Sequence, residues 1–151
     1  MRKPIAPSGT QSLAEYRLAK VEAREVANVW AAVAPLLEGA LAHGDGDMSL
    51  GDVLIALASG QHQLWVVRSS GRIVAAATGV VLQYPCRRVY AVPLMGGSEM
   101  VDWLHFHAEI EAEARALGCS RMEGYARQGW ARRAPPGWFP AWTVIRKDLT
   151  E

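Results

Sequence analysis

The sequence predicts an α/β domain built on a mixed, mostly antiparallel central sheet flanked by helices. Three stretches carry that prediction. Residues 63–67 (QLWVV) and 73–82 (IVAAATGVVL) are apolar strand-like runs joined through Ser69-Ser70-Gly71-Arg72, the strongest hairpin signal in the chain. Residues 87–94 (RRVYAVPL), a helical run over 98–117, and 120–126 (SRMEGYA) read as strand, helix and strand, the pattern of a crossover. Ahead of both, Val26, Val29, Trp30 and Val33 fall on one helix face.

The remaining elements follow in chain order. Residues 1–13 are polar and rich in Pro, Gly and Ser, and read as an arm; 14–151 form a single domain. Residues 16–21 (YRLAKV) alternate and suit a first strand, with helix as the alternative. Pro35 either kinks the following helix or opens a second one at its first turn. Leu36, Leu37, Ala40 and Leu41 carry the apolar face onward to a loop at 43–47 (HGDGD). Ser49 caps a short helix through Leu57, and Gly60 ends it. Tyr84-Pro85 closes the second hairpin strand. In the long helix Trp103, Phe106, Ile110, Ala114 and Leu117 recur at spacings of three and four, and Gly118 ends it. Residues 127–133 are a loop or short helix, and 137–149, ending in WTVIRKDL, read as the last strand.

Composition narrows the function. A chain of 151 residues, half of them hydrophobic, can bury a real core. A formal net charge of +1 argues against a dedicated nucleic-acid binder. No apolar run approaches a membrane span, and 1–12 lack the apolar segment of a signal peptide. The expectation is a cytoplasmic protein, or part of something assembled in the cytoplasm. The two cysteines, Cys86 and Cys119, show no metal-ligand spacing and read as buried thiols. His105 and Glu109 stand four apart on the helix without a third ligand, so no metal site is predicted.

The element order, and above all 114–149 (ARALGCSRMEGYARQGWARRAPPGWFPAWTVIRKDL), resembles the GNAT N-acetyltransferase family. The shared features are a helix closing on A-x-x-x-G, a strand, a short helix, a Gly-aromatic turn and a last strand with Lys-x-Leu. Gly118-Cys119 and the R-x-G-W at Arg127 to Trp130 are similar to small GNAT-like proteins of tailed phages and prophages.

That resemblance implies acetyl-CoA as cofactor, its pantetheine arm between the fourth and fifth strands. Ala91, Val92 and Leu94 would pair with the arm, and Gly96, Gly97 and Ser98 would meet the pyrophosphate at a helix N-terminus. Pro93 stands where the family has Arg or Gln, and Glu99 and Asp102 would repel a phosphate; a plain strand-to-helix junction is the alternative. The family commonly carries a carboxylate on the fourth strand, and 87–94 has none. Arg133 occupies the position of its usual acid Tyr. Glu123 and Tyr125 share side-chain parity on the next strand and are the candidates for base and acid, with packing or a surface role as the alternative. Tyr90 reads as packing on the sheet. Arg87, Arg88, Arg121, Arg127, Arg132 and Arg133, near Trp130, Trp138, Phe139 and Trp142, suit CoA phosphates, nucleic acid or a protein interface.

Two functions follow. One is an acyl-CoA-dependent N-acyltransferase of unknown acceptor. The other is an inactive GNAT fold kept as an interaction module, such as a virion or head–tail component held by a protein partner or as a homo-oligomer. Modification of a nucleobase is a third, suggested by the arginines alone.

Overall fold

The computed structural model describes residues 16–97, 107–125, 129 and 132–150. The expected N-terminal arm, Ser98, Glu99, Asp102, Trp103, His105, Phe106, Arg127 and Trp130 lie outside them.

The chain starts with strand β1 (Tyr16–Val21), then a single 3-10 turn (Ala23–Glu25) and helix α1 (Val26–Ala42). Val26, Val33 and Leu37 recur on one face of α1 and are buried. Pro35 neither ends the helix nor starts another. It lies inside α1 on the exposed side, where water can serve the carbonyl it leaves free. Helix α2 (Leu50–Ala58) begins as expected at Ser49, whose hydroxyl accepts from the Asp52 N–H while the Asp52 carboxylate accepts from the Ser49 N–H.

Strands β2 (Gln63–Ser69) and β3 (Arg72–Tyr84) form the expected hairpin, turned by Ser70 and Gly71 at φ 50° and 77°. Strand β4 (Arg87–Gly97), helix α3 (His107–Ala116) and strand β5 (Arg121–Gly124) complete the described elements. The sheet order is β1-β2-β3-β4-β5, antiparallel throughout except for the parallel β4–β5 pair. The mixed α/β architecture is therefore as the sequence predicts.

Two cores sandwich the sheet. On one face α1 and α2 bury Val33, Leu37, Val53 and Leu57 against Leu64, Val66 and Ala76. On the other, Ile110 and Ala114 of α3 meet Trp65, Val67, Ala75, Ala77, Tyr90 and Val92. The alanines of β3 are covered on both faces, which is why this central strand reads as an unbroken apolar run.

Three expectations fail. Residues 137–149 form no strand; Phe139, Trp142, Val144, Ile145 and Leu149 are 76–94% exposed, and Arg146 ties the segment to Asp45 at 2.7 Å. Its aromatic and β-branched residues suit a strand, but a strand needs a hydrogen-bonded neighbour, and β5 pairs only with β4 among the described residues. Cys86 is exposed because it sits in the β3–β4 turn, and Cys119 is half-buried. Strand β4 also runs past Leu94 through both glycines, with consequences for the site.

Candidate functional site

The site begins with an irregularity in β4. Val80 lies opposite Ala91 and Thr78 opposite Leu94, so β3 advances two residues while β4 advances three. The extra residue is a β-bulge at Val92-Pro93, facing Gly79. Proline is confined to such places inside a sheet because it has no N–H for the ladder. Gly79 is required there: a Cβ on it would strike the Tyr90 ring.

The β4–β5 ladder stops at the same point. Its pairs run Val89↔Arg121, Tyr90↔Met122, Ala91↔Glu123 and Val92↔Gly124. Beyond Val92, β4 continues along β3 through Leu94↔Thr78, Met95↔Ala77, Gly96↔Ala76 and Gly97↔Ala75. From Pro93 on, its other edge has no strand beside it among the described residues. Trp138 lies by the end of β5, its ring 3.9 Å from the position of a Cβ on Gly124.

The six residues expected to hold a cofactor therefore divide. Ala91 and Val92 are the last β4 residues paired with β5, and Leu94 follows the bulge on the open stretch. Gly96 and Gly97 are not in a loop: both belong to β4. A Cβ on Gly96 would meet the Leu36 carbonyl oxygen of α1, and one on Gly97 would sit 2.6 Å from the Ala75 Cβ. They are glycines because helix and strand backbones close on them. Ser98 lies outside the described residues.

Glu123 and Tyr125 are brought together with other polar groups. Glu123 is paired with Ala91, immediately before the bulge, and Arg121 lies two residues back at 3.7 Å from its carboxylate. Tyr125 is 65% exposed, so it is no core packing residue. Its hydroxyl pKa is raised, first by partial desolvation and then by the nearby Glu123 and Tyr84. Tyr84, Pro85, Cys86, Arg87, Arg121 and Glu123 line an open cavity of about 340 Å³. Sequence reasoning missed Tyr84, Pro85 and Cys86 as lining residues. A proline just after a long strand signals the turn, but only the β4–β5 register places that turn beside Glu123.

Tyr90 belongs to the opposite face and is fully buried. Its hydroxyl accepts from Trp65 Nε1 at 2.9 Å and donates to Gln63 Oε1 at 2.6 Å. Gln63 in turn donates to Glu113 of α3 at 3.4 Å, and Lys20 pairs with the same carboxylate at 3.0 Å. Burial is the main cause that pushes the Tyr90 hydroxyl up to about 12. It is a structural hydroxyl turned away from Glu123. Of the basic residues, Arg88 is held by Gln83 at 2.8 Å and by the Leu117 carbonyl at 2.7 Å. No group of three or more His, Cys, Asp or Glu among the described residues could hold a metal. No described helix is long and apolar enough to cross a membrane.

No protein-family model and no curated protein matches the sequence. Solved structures do match the fold. An aminoglycoside acetyltransferase from an uncultured soil metagenomic sample, in complex with sisomicin, superposes with a TM-score of 0.67 at 10% identity, covering 91% of this chain and 98% of that one. A predicted acetyltransferase with acetyl-CoA from Clostridium acetobutylicum gives 0.64 at 11% identity, over 89% and 96%. A ribosomal-protein-alanine N-acetyltransferase from Brucella melitensis biovar Abortus gives 0.59 at 17% identity, over 88% and 99%. Among the described residues, the mixed five-stranded sheet with its three helices is therefore an α/β fold that matches those of GNAT acetyltransferases.

Proposed function

We propose that this chain is an acyl-CoA-dependent N-acyltransferase. The observation that supports it is the coincidence of three features at Val92: the bulge, the end of β4–β5 pairing and the adjacent Glu123. The residues present fit an acyl-pantetheine arm, since the stretch after Pro93 offers a strand edge with no partner strand among the described residues, where an extended chain can lie. Acyl-CoA, when bound, supplies a thioester carbonyl activated toward amines. Backbone N–H groups around the bulge, with Pro93 excluded, are the donors available to the carbonyl oxygen. Leu94, on the stretch past the bulge, is the backbone we assign to the arm; Ala91 and Val92, expected to share that role, are instead paired with Glu123 and Gly124 of β5. Gly96 and Gly97 shape this edge through their packing, and Ser98 is assigned to the pyrophosphate from the resemblance alone.

Glu123 takes a proton from the acceptor ammonium, freeing the nitrogen lone pair. With acyl-CoA bound, a C–N bond would form as the C–S bond breaks, and Tyr125, neutral at pH 7, would give its proton to the departing sulfur and regain one from the nitrogen as it becomes an amide. A second reading, an interaction module such as a virion component, is favoured by one observation: the exposed apolar segment from Phe139 to Leu149. A phage or prophage origin rests on sequence likeness at Gly118-Cys119 and Arg127 to Trp130.

Calorimetric titration with acetyl-CoA, with free CoA as control, tests the first reading. Saturable micromolar binding is expected, with Glu123→Gln and Tyr125→Phe retaining it while slowing transfer by about 100-fold or more. Absence of binding at millimolar acetyl-CoA sinks the acyltransferase reading and leaves the interaction module.

A further inference from the structure

The cavity beside Glu123 has a composition that selects its occupant. It carries two guanidinium groups, Arg87 and Arg121, against one carboxylate, Glu123. Arg88, the neighbour of Arg87 in sequence, is committed to Gln83 and the Leu117 carbonyl. Arg87 has no hydrogen-bond or ion-pair partner among the described residues. Arg121 is ion-paired with the Glu123 carboxylate at 3.7 Å, a contact longer than a hydrogen bond that leaves its N–H donors available to an anion. Tyr84 and Pro85 supply an apolar wall. The volume, about 340 Å³, is at the small end of ligand sites.

Resting on the acyltransferase reading, we infer that the acceptor is a small primary amine that also carries an oxyanion. The argument is one of charge placement. Two guanidinium forks, Arg87 with no side-chain partner among the described residues and Arg121 in a loose ion pair with Glu123, match a carboxylate or phosphate, which they bind with directed, charge-assisted hydrogen bonds. Glu123 is the one acidic group in the lining and receives the ammonium. A polyamine would bring several positive charges toward two arginines and find one carboxylate to balance them. The register adds the direction: Glu123 is opposite Ala91, at the bulge, and Arg121 is opposite Val89, two residues farther from it. An acceptor whose oxyanion rests on the arginines and whose nitrogen rests on Glu123 therefore has its amine at the end nearest the thioester. Transfer would join that nitrogen to the acyl carbon and expel the CoA sulfur: Glu123 keeps the first proton of the ammonium, and the second replaces the one Tyr125 gives to the sulfur.

The test is direct binding without acyl-CoA, followed by transfer. L-glutamate and O-phosphoserine serve as carboxylate and phosphate probes, and spermidine as the polycation, each titrated calorimetrically into the full chain. Binding of at least one anionic probe is expected, weakened tenfold or more by Arg87→Ala and by Arg121→Ala, with spermidine not bound. The arm that binds tells carboxylate from phosphate. Arg87→Lys should recover part of the loss, because the charge returns without the fork. Circular dichroism shows whether each variant is folded, and Arg87, at an exposed turn, is the safer of the two. Spermidine binding as tightly as the anionic probes, no probe binding, or affinities indifferent to both arginine changes would overturn the inference. Anionic binding in a protein that ignores acetyl-CoA would leave the pocket standing and remove the transferase; acetyl-CoA binding with no anionic amine bound would do the reverse.

Discussion

Replacing Gly96 by Ala separates two roles that the sequence leaves tangled. If Gly96 belongs to a phosphate cradle, one methyl group changes cofactor affinity and little else. In the structure that methyl meets the Leu36 carbonyl oxygen, with the Leu36 carbonyl carbon at 3.0 Å and the Ala40 Cβ at 3.5 Å. Helix backbone cannot rotate aside, so α1 must lift from β4. Val33 and Leu37, both fully buried under the same helix, lose contacts as it does. Overpacking of this kind costs about 1–3 kcal/mol. For a chain of this size each kcal/mol moves Tm by about 2–4 °C, so a fall of about 4–8 °C is expected near the middle of that range. Thermal unfolding with and without acetyl-CoA measures it, and the fall should appear in both. An unchanged Tm together with lost acetyl-CoA binding would refute the packing account and restore the cradle.

Three further outcomes follow from particular contacts. Tyr90→Phe leaves the Trp65 N–H and Gln63 without their partner and should lower urea stability by about 1–3 kcal/mol. Because the Tyr90 hydroxyl sits at about 12 when folded and near 10 when unfolded, its share of stability is complete below pH 10 and is lost as pH rises toward 12; the Phe variant should not show that loss. Ser49→Ala removes the α2 cap and should lower Tm by about 2–4 °C, while the Asp52 carboxyl, held low first by the Ser49 backbone N–H, which stays, and then by the Ser49 hydroxyl, which goes, returns only part of the way upward in an NMR titration. Arg146→Ala breaks a fully solvated ion pair and should leave Tm within about 1 °C, with the Asp45 carboxyl rising toward its ordinary value.

Features written in local sequence were legible. The hairpin turn at Ser70-Gly71 and the Ser49–Asp52 cap each need only four or so neighbouring residues, and both appear where the pattern puts them. The bulge is different. It is defined by what stands across from Val92-Pro93, and Gly79 is thirteen residues away through a turn. Gly96 and Gly97 were misleading for the same reason. Glycine before a helical run suggests a loop, whereas here its cause is the approach of α1 from sixty residues upstream. Glu123 and Tyr125 could be paired by alternation, but their company with Tyr84 and Arg87 depends on strand register. The 137–149 segment fails in the opposite direction: its apolar and β-branched residues suit a strand, and no neighbouring strand receives it among the described residues.

The polar chain from Lys20 through Glu113 and Gln63 to Tyr90 makes the two walls of the candidate slot mechanically unequal. It cross-links β1, β2, β4 and α3, so those elements should exchange their amide hydrogens only in the largest openings. Among the described residues strand β5 has four register pairs and one neighbouring strand. Its amides should exchange first, through local fraying that begins at Gly124. Widening of the slot is then a hinge of the short strand against a fixed plate, and Glu123, carried on that strand, moves with the opening.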